Sequence, residues 1–400
     1  EATGWEAGSA SKGPQFATFD DPAPRANYRQ TYRYDAGGNL LELTHEGPQR
    51  HGHRMVAAAH SNRCLPVLEG VEPDEEDFRQ GFDGNGNLIN LQPGQALAWD
   101  LRNQLCEVRP VERDSALNDR ERYVYGADGM RLRKVREAHT NARMLIAETR
   151  YLPNLELRTN SGTGEVLQVI NVQAGRSSVR VLHWESKDSA SDQYRYHLND
   201  HLGSCTLELD KDGEVISQER YHPYGSTAWF AGRGEVEASH RTVRYSGKER
   251  DATGLYYYGF RYYVVGWQRW LSPDPAGDVD GLNFYIFVGN NPATYLDIHG
   301  QTRTSINKDI HLIWVGESSS GLRDSIDNIN NTVEQADGYK VRLYLETQKE
   351  NKFAEILQEL KVHEVVNMKG DELLDSFGKS TVADVYNDFR YGRRKNIAFA

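Results

Sequence analysis

The sequence predicts a mainly β protein, in which stacked β-hairpins form most of the chain and a small α/β segment follows. Three observations lead to this prediction. The 400 residues include 36 glycines and 22 tyrosines, and this composition favours short strands and turns over helical bundles. A hairpin motif recurs within the first 215 residues, residues 194–300 are rich in tyrosine and turn residues, and helix-period spacing appears only beyond residue 300.

The recurring motif joins an aromatic residue, an Asp or Gly turn and a following apolar strand. Asp-x-Gly and Gly-Asn supply the positive φ of a tight turn, and alternating aromatic residues cover one strand face. Such hairpins cannot bury an apolar face alone, so they must stack on neighbours, and their irregular spacing favours a sheet that curls into a shell. The copies are residues 32–40 (YRYDAGGNL), 82–88 (FDGNGNL), 123–130 (YVYGADGM) and a weaker 207–215 (LELDKDGEV).

The residues up to 300 divide into two parts, because residues 194–300 are denser in tyrosine and turn residues than anything before them. Segments typical of this second part are 196–204 (YHLNDHLGS), 254–263 (GLYYYGFRYY) and 270–275 (WLSPDP). We therefore expect a hairpin-repeat region over residues 1–193 and a distinct block over 194–301.

The sequence changes character after residue 300, where tyrosine and glycine become rarer. Residues 310–316 (IHLIWVG) and 339–345 (YKVRLYL) predict two apolar strands. Phe353, Ile356, Leu357 and Leu360 fall at i, i+3, i+4 and i+7, which predicts one face of a helix. Residues 302–400 are therefore predicted to form an α/β segment, with the domain boundary close to residue 301.

Charge and composition exclude several classes of protein. The formal net charge is −11 and the isoelectric point is near 5.7, which argues against a nucleic-acid-binding face. No apolar run approaches the ~20 residues that cross a bilayer, and the first ten residues lack the pattern of a signal peptide. Three scattered cysteines and histidines without ligand spacing, apart from the pair His51 and His53, predict no disulfide framework and no metal site.

These motifs resemble those of a known family. The hairpin motifs resemble YD/RHS repeats, and residues 194–300 resemble the RHS-repeat-associated core domain of Tc-toxin C-subunits and related Rhs toxins. The resemblance covers about three quarters of the chain. Segments of the opening third that are similar to Tc-toxin C-subunits are 28–30 (YRQ), 61–66 (SNRCLP), 99–105 (WDLRNQL) and 114–118 (DSALN).

The resemblance implies a hollow YD/RHS-repeat β-shell that encloses a C-terminal toxin segment. It further implies that a Tc-toxin B-subunit completes the shell and that the A-subunit forms the translocation pore. The expected location is a secreted toxin complex without a classical signal peptide, from which the toxin segment reaches the target-cell cytoplasm. No nucleic acid and no membrane span are expected, and the host target is not indicated by the sequence.

The resemblance also implies a self-cleaving site of the aspartic-protease type, formed by Arg261, Asp274 and Asp297. Two neighbouring carboxyls share a proton, so that one activates water and the other protonates the leaving amine. An arginine beside them can orient a carboxylate or polarise the peptide carbonyl. An alternative is that both Asp residues only form turns and that Arg261 stacks on aromatic rings. Asp280 competes for the catalytic role, and we interpret it as a turn residue.

Cleavage is expected between Gln301 and Thr302, directly after the core block. Family members present a large apolar residue at the position of Gln301, so this residue departs from the pattern. No cofactor is expected for self-cleavage, because the two carboxyls and the attached substrate suffice.

Residues 302–400 are expected to be the cargo. The strand at 310–316 resembles the first strand of DXD-type, GT-A-fold glycosyltransferases, in which the residue matching Trp314 stacks on the uracil of a UDP-sugar. Residues 396–400 (NIAFA) are similar to the lead-in to a later helix of that family. Mn²⁺ or Mg²⁺ and a UDP-sugar are expected only for a complete domain, and no Asp-x-Asp occurs in residues 302–400, so we expect no sugar transfer by this segment. The alternative for Trp314 is a place in the core.

Two other functions compete with a self-cleaving carrier. One is a purely structural RHS shell that does not cleave. The other is an Rhs effector that acts in competition between bacteria and needs no B-subunit.

Overall fold

The computed structural model describes residues 1–8, 17–19, 24–92, 94–111, 118–140, 143–174, 177–185, 192–305, 309–315, 323, 326–335, 340–346, 358–362 and 364–367. Two units emerge from the contacts of the chain. Unit 1 comprises Glu1–Val172 and Arg176–Ile306, and unit 2 comprises Gln173–Gly175 and Asn307–Ala400.

Strands dominate the described residues, and helices are few and short. The strands, in chain order, are β1 (Ala2–Ala7), β2 (Ala17–Thr18), β3 (Arg25–Tyr34), β4 (Leu40–Glu46), β5 (His53–Ala57), β6 (Cys64–Pro66), β7 (Asn90–Gln92), β8 (Gln95–Trp99), β9 (Leu105–Val111), β10 (Asp119–Tyr125), β11 (Arg131–His139), β12 (Met144–Leu152), β13 (Leu155–Asn160), β14 (Glu165–Ala174), β15 (Ser177–Trp184), β16 (Gln193–Asn199), β17 (Cys205–Leu209), β18 (Val215–Tyr221), β19 (Thr227–Gly232), β20 (Glu249–Arg250), β21 (Tyr256–Tyr257), β22 (Tyr262–Val264), β23 (Arg269–Trp270), β24 (Tyr295–Asp297), β25 (Arg303–Ser305), β26 (Asp309–Val315), β27 (Lys340–Glu346) and β28 (Glu364–Asn367). The helices are α1 (Glu75–Gly81), α2 (Glu235–Ser239) and α3 (Ile326–Gln335), and 3₁₀ turns span Tyr245–Gly247 and Val288–Asn290.

Unit 1 is built on two large sheets. One has five strands in the order β1-β3-β4-β5-β6, and the other has fourteen strands. From β7 to β19 the larger sheet follows chain order without a crossover, and its described strand pairs in this stretch are antiparallel, as expected for consecutive hairpins. The predicted fold class, a β-hairpin shell followed by a small α/β segment, is confirmed.

Three of the four hairpin copies share one local turn structure. An Asp side chain accepts a hydrogen bond from the backbone N–H four residues later, as Asp35 does from Asn39 at 2.8 Å and Asp83 does from Asn87 at 2.8 Å. The glycine three residues after Asp83, Gly86, has a φ of +91°, which an L-residue adopts only with strain. This Asx-type turn therefore closes these hairpins from local sequence alone, whereas the copy at 123–130 has Gly126 in place of the Asp.

One core cluster of unit 1 consists largely of aromatic residues from the block after residue 194. Tyr263 stacks on Phe287 with ring centroids 4.0 Å apart, and Trp270 packs edge-on against both Tyr258 and Phe287. A second cluster joins this block to the earlier strands, where Tyr262 packs against Tyr123 at 5.2 Å. The block thus serves as the packing partner that the isolated hairpins lack.

A buried ion cluster ties β11 to β20. Arg131 Nη1 lies 2.6 Å from Asp251 Oδ2, and Arg131 Nη2 lies 2.7 Å from Glu249 Oε2. Lys134 Nζ lies 2.6 Å from both carboxylates. The two cations and two anions balance one another, which makes their burial tolerable.

Unit 2 contains a three-stranded parallel sheet in the order β26-β27-β28. Helix α3 lies in sequence between β26 and β27, which gives the β-α-β order expected of an α/β segment. The two predicted strands are found at Asp309–Val315 and Lys340–Glu346. The predicted helix-face residues Phe353, Ile356 and Leu357 lie outside the described residues, and so do residues 396–400.

None of the helices in the described part of the chain has both the length and the apolar character needed to cross a membrane.

Candidate active site

Arg261 is held at the start of β22 by a backbone pairing with the end of the core block. The Phe260 N–H donates to the His299 carbonyl at 2.9 Å, and the Tyr258 N–H donates to the Arg261 carbonyl at 3.1 Å. Gly259 has a φ of +106°, and a Cβ on it would lie 3.0 Å from the His299 oxygen. The close approach of these two segments therefore depends on glycine.

The Arg261 guanidinium contacts both predicted carboxylates through a single nitrogen. Its Nη2 lies 2.8 Å from Asp274 Oδ2 and 3.3 Å from Asp297 Oδ2. The three side chains are 2%, 5% and 3% exposed, respectively. The guanidinium plane also packs over the Trp270 ring, with the central carbon 4.2 Å from its centroid. The sequence separates the two Asp residues by 23 positions, and the fold brings them to one point.

The same guanidinium holds the backbone at the end of the core block. Its Nε donates to the Gly300 carbonyl at 2.5 Å, and its Nη1 donates to the Phe284 carbonyl at 3.2 Å. Gly300 has a φ of +73°, and a Cβ there would lie 3.0 Å from the Arg261 backbone nitrogen. A positive group thus lies against the carbonyl one residue before the predicted cleavage bond.

Asp297 organises the turn that carries that bond. Its Oδ1 accepts hydrogen bonds from the backbone N–H groups of His299, Gly300 and Gln301, at 3.1, 2.6 and 3.2 Å. Three N–H donors on one oxygen fix the carboxylate relative to the peptide chain that follows it. Its other oxygen faces Arg261.

Asp274 has a different environment. Its Oδ1 accepts a hydrogen bond from the Ala276 N–H at 2.9 Å, the geometry of an Asx turn between two prolines. Burial raises the pKa of the Asp274 carboxyl above its ordinary value, and the neighbouring Arg261 opposes this effect. Burial also lowers the pKa of Arg261, against the pull of both carboxylates. Burial therefore favours the protonated form of the Asp274 carboxyl.

Gln301 and Thr302 lie at the end of a short hairpin. Strand β24 pairs antiparallel with β25, with Asp297 opposite Arg303, so the predicted cleavage bond falls in the connecting turn. Thr302 is exposed and Gln301 is partly buried. The Arg303 N–H donates to Asp280 Oδ2 at 2.6 Å, which anchors the far side of the turn.

The structure brings Arg261, Asp274 and Asp297 together, as the sequence predicts. Asp280, interpreted as a turn residue, lies in a turn and in addition binds the hairpin backbone. The strand that contains Trp314 forms, but the Trp314 side chain lies outside what the structure describes.

One functional candidate escaped sequence analysis. The Lys248 Nζ donates to the Ile298 carbonyl at 2.5 Å and lies 5.2 Å from the centroid of the Tyr258 ring. Burial lowers the pKa of Lys248, and Asp297 opposes this effect. A lone lysine 50 residues from its partner has no local signature, so sequence reasoning could not find it.

The β-hairpin fold of the chain has counterparts among known toxin subunits. No family model matches the chain. It is 43% identical over 303 residues to Toxin subunit YenC2 of Yersinia entomophaga and 40% identical over 301 residues to Toxin subunit YenC1 of the same organism. Each match covers 73% of this chain and 31% of the relative.

A more distant relative and two solved structures are also similar to the chain. Double-stranded DNA deaminase toxin A of Burkholderia cenocepacia is 25% identical over 314 residues, which is 68% of this chain and 19% of that protein. The crystal structure of TcdB2-TccC3-Cdc42 matches with a TM-score of 0.68 and 45% identity, over 75% of this chain and 15% of that one. A Photorhabdus luminescens Tc holotoxin pore with the mutation TccC3-D651A matches with a TM-score of 0.69 and 44% identity, over 76% and 14%.

The chain is thus similar in sequence and in fold to Tc-toxin C-subunits, and its homologues are toxin proteins. It spans less than a third of the length of the Yersinia relatives.

Proposed function

We propose that this chain is the part of a Tc-toxin C-subunit that ends the β-shell and cuts itself between Gln301 and Thr302. The observation that carries the proposal is the convergence of Asp274 and Asp297 on one nitrogen of Arg261, beside the hairpin that contains this bond. Cleavage frees the following residues as the toxin segment.

The proposed chemistry divides the work between the two carboxyls. Asp297, fixed by three backbone N–H donors, acts as the base that takes a proton from water. The water oxygen attacks the Gln301 carbonyl carbon, and Asp274, whose raised pKa favours its acid form, protonates the Thr302 nitrogen as the C–N bond breaks. Arg261 positions both carboxyls and the backbone of Gly300. No metal or cofactor takes part in these steps.

The burial of the site supports this division. In a site shielded from bulk solvent, a charged pair interacts more strongly than at the surface, and a carboxyl proton is retained more readily. Because the bond to be cut is part of the same hairpin, substrate binding requires no separate pocket.

The proposed partners follow from the solved structures of TcdB2-TccC3 and of a Tc holotoxin pore. We propose that a B-subunit completes the shell and that an A-subunit pore delivers the freed segment into the target-cell cytoplasm, after secretion of the complex. The segment after the cut would be a glycosyltransferase-like toxin, supported by the parallel β26-β27-β28 sheet and the strand that carries Trp314. The deaminase toxin among the relatives supports, as a second candidate, an Rhs effector that acts on other bacteria.

A comparison of wild type with three variants tests the self-cleavage. The chain is coexpressed with a B-subunit as wild type, Asp274→Asn, Asp297→Asn and Asp278→Asn, and the products are separated on a denaturing gel. Asp278 is the matched control, because it is an Asp of the same turn region and makes no contact with Arg261 in the described structure. We expect two bands for wild type and Asp278→Asn and one band for the other two. Equal cleavage in all four, with circular dichroism showing each folded, contradicts the proposal.

A further inference from the structure

A second buried group of chemically active side chains lies far from Arg261 in the sequence, where β1, β4 and the turn after β18 meet. Glu6 Oε1 lies 2.9 Å from His45 Nε2, and Glu6 Oε2 lies 2.8 Å from His222 Nε2. All three side chains are at most 1% exposed. One ligand atom from each residue lies within 4.8 Å of the others.

The donor set is that of a metal site. Two imidazole nitrogens and one carboxylate are ligands that Zn²⁺ prefers, and a second carboxylate oxygen or a water completes four-coordination. The three residues come from three separate backbone segments, and Glu6 is also fixed by the Gln49 N–H at 3.1 Å. The backbone segments that carry the ligands are therefore held together by contacts of Glu6 with His45, His222 and the Gln49 N–H.

The surroundings satisfy the second requirement of a metal-binding histidine, a partner for the other ring nitrogen. His222 Nδ1 lies 3.0 Å from Ser226 Oγ, and the hydroxyl oxygen can accept a hydrogen bond from an Nδ1–H group. His45 Nδ1 lies 3.1 Å from the Gln30 side-chain amide, whose oxygen accepts a hydrogen bond from the Tyr32 hydroxyl. If the Gln30 amide is rotated by 180°, its oxygen can accept a hydrogen bond from His45 Nδ1–H and its NH₂ group can donate to the Tyr32 hydroxyl oxygen, so both side chains keep a hydrogen-bond partner.

We propose that Glu6, His45 and His222 bind one divalent cation of the zinc type, which links the N-terminal strand to the β18–β19 turn. On binding, the proton of each Nε2 moves to the Nδ1 of the same ring, so neutral imidazoles release no net proton. The cation then replaces two N–H···O hydrogen bonds and joins residues 216 positions apart. Because the ligands are buried, the ion enters as the chain folds.

This site differs from the sequence-based prediction of no metal. That prediction relied on local spacing, and only the His51 and His53 pair has it. His51 does pack against His222, with ring centroids 4.6 Å apart, but its Nε2 is hydrogen-bonded to Gln49 Oε1 at 2.7 Å. It contributes packing to the cluster and is not one of the three ligands.

The metal content of the purified chain tests the proposal. The chain is produced in minimal medium supplemented with ZnSO₄ or CoCl₂, passed over a chelating resin and measured by plasma mass spectrometry. The variant is His222→Gln, whose amide can still donate to Glu6 but binds zinc poorly. The control is His183→Gln, which removes an exposed histidine paired with Asp192.

We expect one metal ion per chain in wild type and in the control, and a loss of at least tenfold in His222→Gln. The cobalt form should show the visible absorption of tetrahedral Co²⁺, and wild type grown with zinc should unfold at a higher temperature than wild type grown with chelator. Wild type without bound metal, or equal metal in His222→Gln, overturns the proposal and leaves a hydrogen-bonded histidine–carboxylate cluster. The comparison of the two wild-type preparations decides the matter if the variant fails to fold.

Discussion

Substitution of alanine for Gly300 perturbs the contact between the cleavage hairpin and the arginine that holds it. The Gly300 φ of +73° costs a residue with a Cβ about 1–2 kcal/mol. The added Cβ would also lie 3.0 Å from the Arg261 nitrogen and 3.3 Å from the Cβ atoms of Arg261 and Tyr258. Because the nearest neighbour is backbone, relief requires a shift of the hairpin, and such overpacking adds about 1–3 kcal/mol.

Gly164 provides the matched control. Its φ is +72°, and a Cβ there would meet nothing within 4 Å, so Gly164→Ala carries the conformational cost alone. Urea denaturation of both variants, in a cleavage-deficient Asp274→Asn background, measures the difference in the free energy of unfolding. We expect Gly300→Ala to be less stable than Gly164→Ala by about 1–3 kcal/mol.

The same pair of variants, with Asp274 restored, reports on catalysis. A shift of the hairpin moves the cleavage bond away from the carboxyls, and a misplacement of this kind costs up to ~10²-fold in rate. We therefore expect Gly300→Ala to self-cleave much more slowly than wild type and Gly164→Ala to cleave normally. If the two variants have the same stability and the same rate, the reasoning about this contact is refuted.

Three further predictions follow from the same structure. Because burial raises the pKa of the Asp274 carboxyl, its acid form persists to a higher pH than that of an ordinary Asp. The rate of self-cleavage should therefore fall as the pH rises through that raised pKa. A rate that increases steadily with pH contradicts this prediction. Lys248→Met removes the side-chain donor to the Ile298 carbonyl of the hairpin, so a refolding time course should show slower cleavage than for the control Lys211→Met, which changes an exposed lysine. Equal cleavage rates in the two variants would exclude this role of Lys248. Asp251→Asn removes one of the two carboxylates that neutralise the buried Arg131 and Lys134, and it should lower the free energy of unfolding by about 3–5 kcal/mol. The control Glu148→Gln, at the more exposed pair with Arg133, should lower it by about 0–1 kcal/mol. Urea titration measures both losses, and similar losses would contradict the prediction.

Local sequence predicts the hairpins well. The Asp83 turn needs only its own Asp, its glycine and the Asn87 backbone, all within five residues, so it can be recognised without any knowledge of the fold. The order of strands β7 to β19 follows from the same cause, since consecutive hairpins pair with their neighbours.

Long-range clusters have no such local signal. Asp274 and Asp297 could be paired only through a family resemblance, because a separation of 23 residues fixes no geometry. The contacts of Glu6 span 39 residues to His45 and 216 residues to His222, and each side chain alone has an ordinary sequence context. These contacts become visible only after the five-stranded sheet and the β18–β19 turn have been placed in space.

The central claim is that the chain cuts its own Gln301–Thr302 bond with two aspartates. Intact-mass spectrometry of the 45.4 kDa chain, purified with a B-subunit and compared with Asp274→Asn, tests it most directly. The account predicts two fragments in wild type, one ending at Gln301 and the other beginning at Thr302, and a single uncut chain in the variant. An uncut, folded wild-type chain in that complex, or fragments that persist in Asp274→Asn, would contradict it.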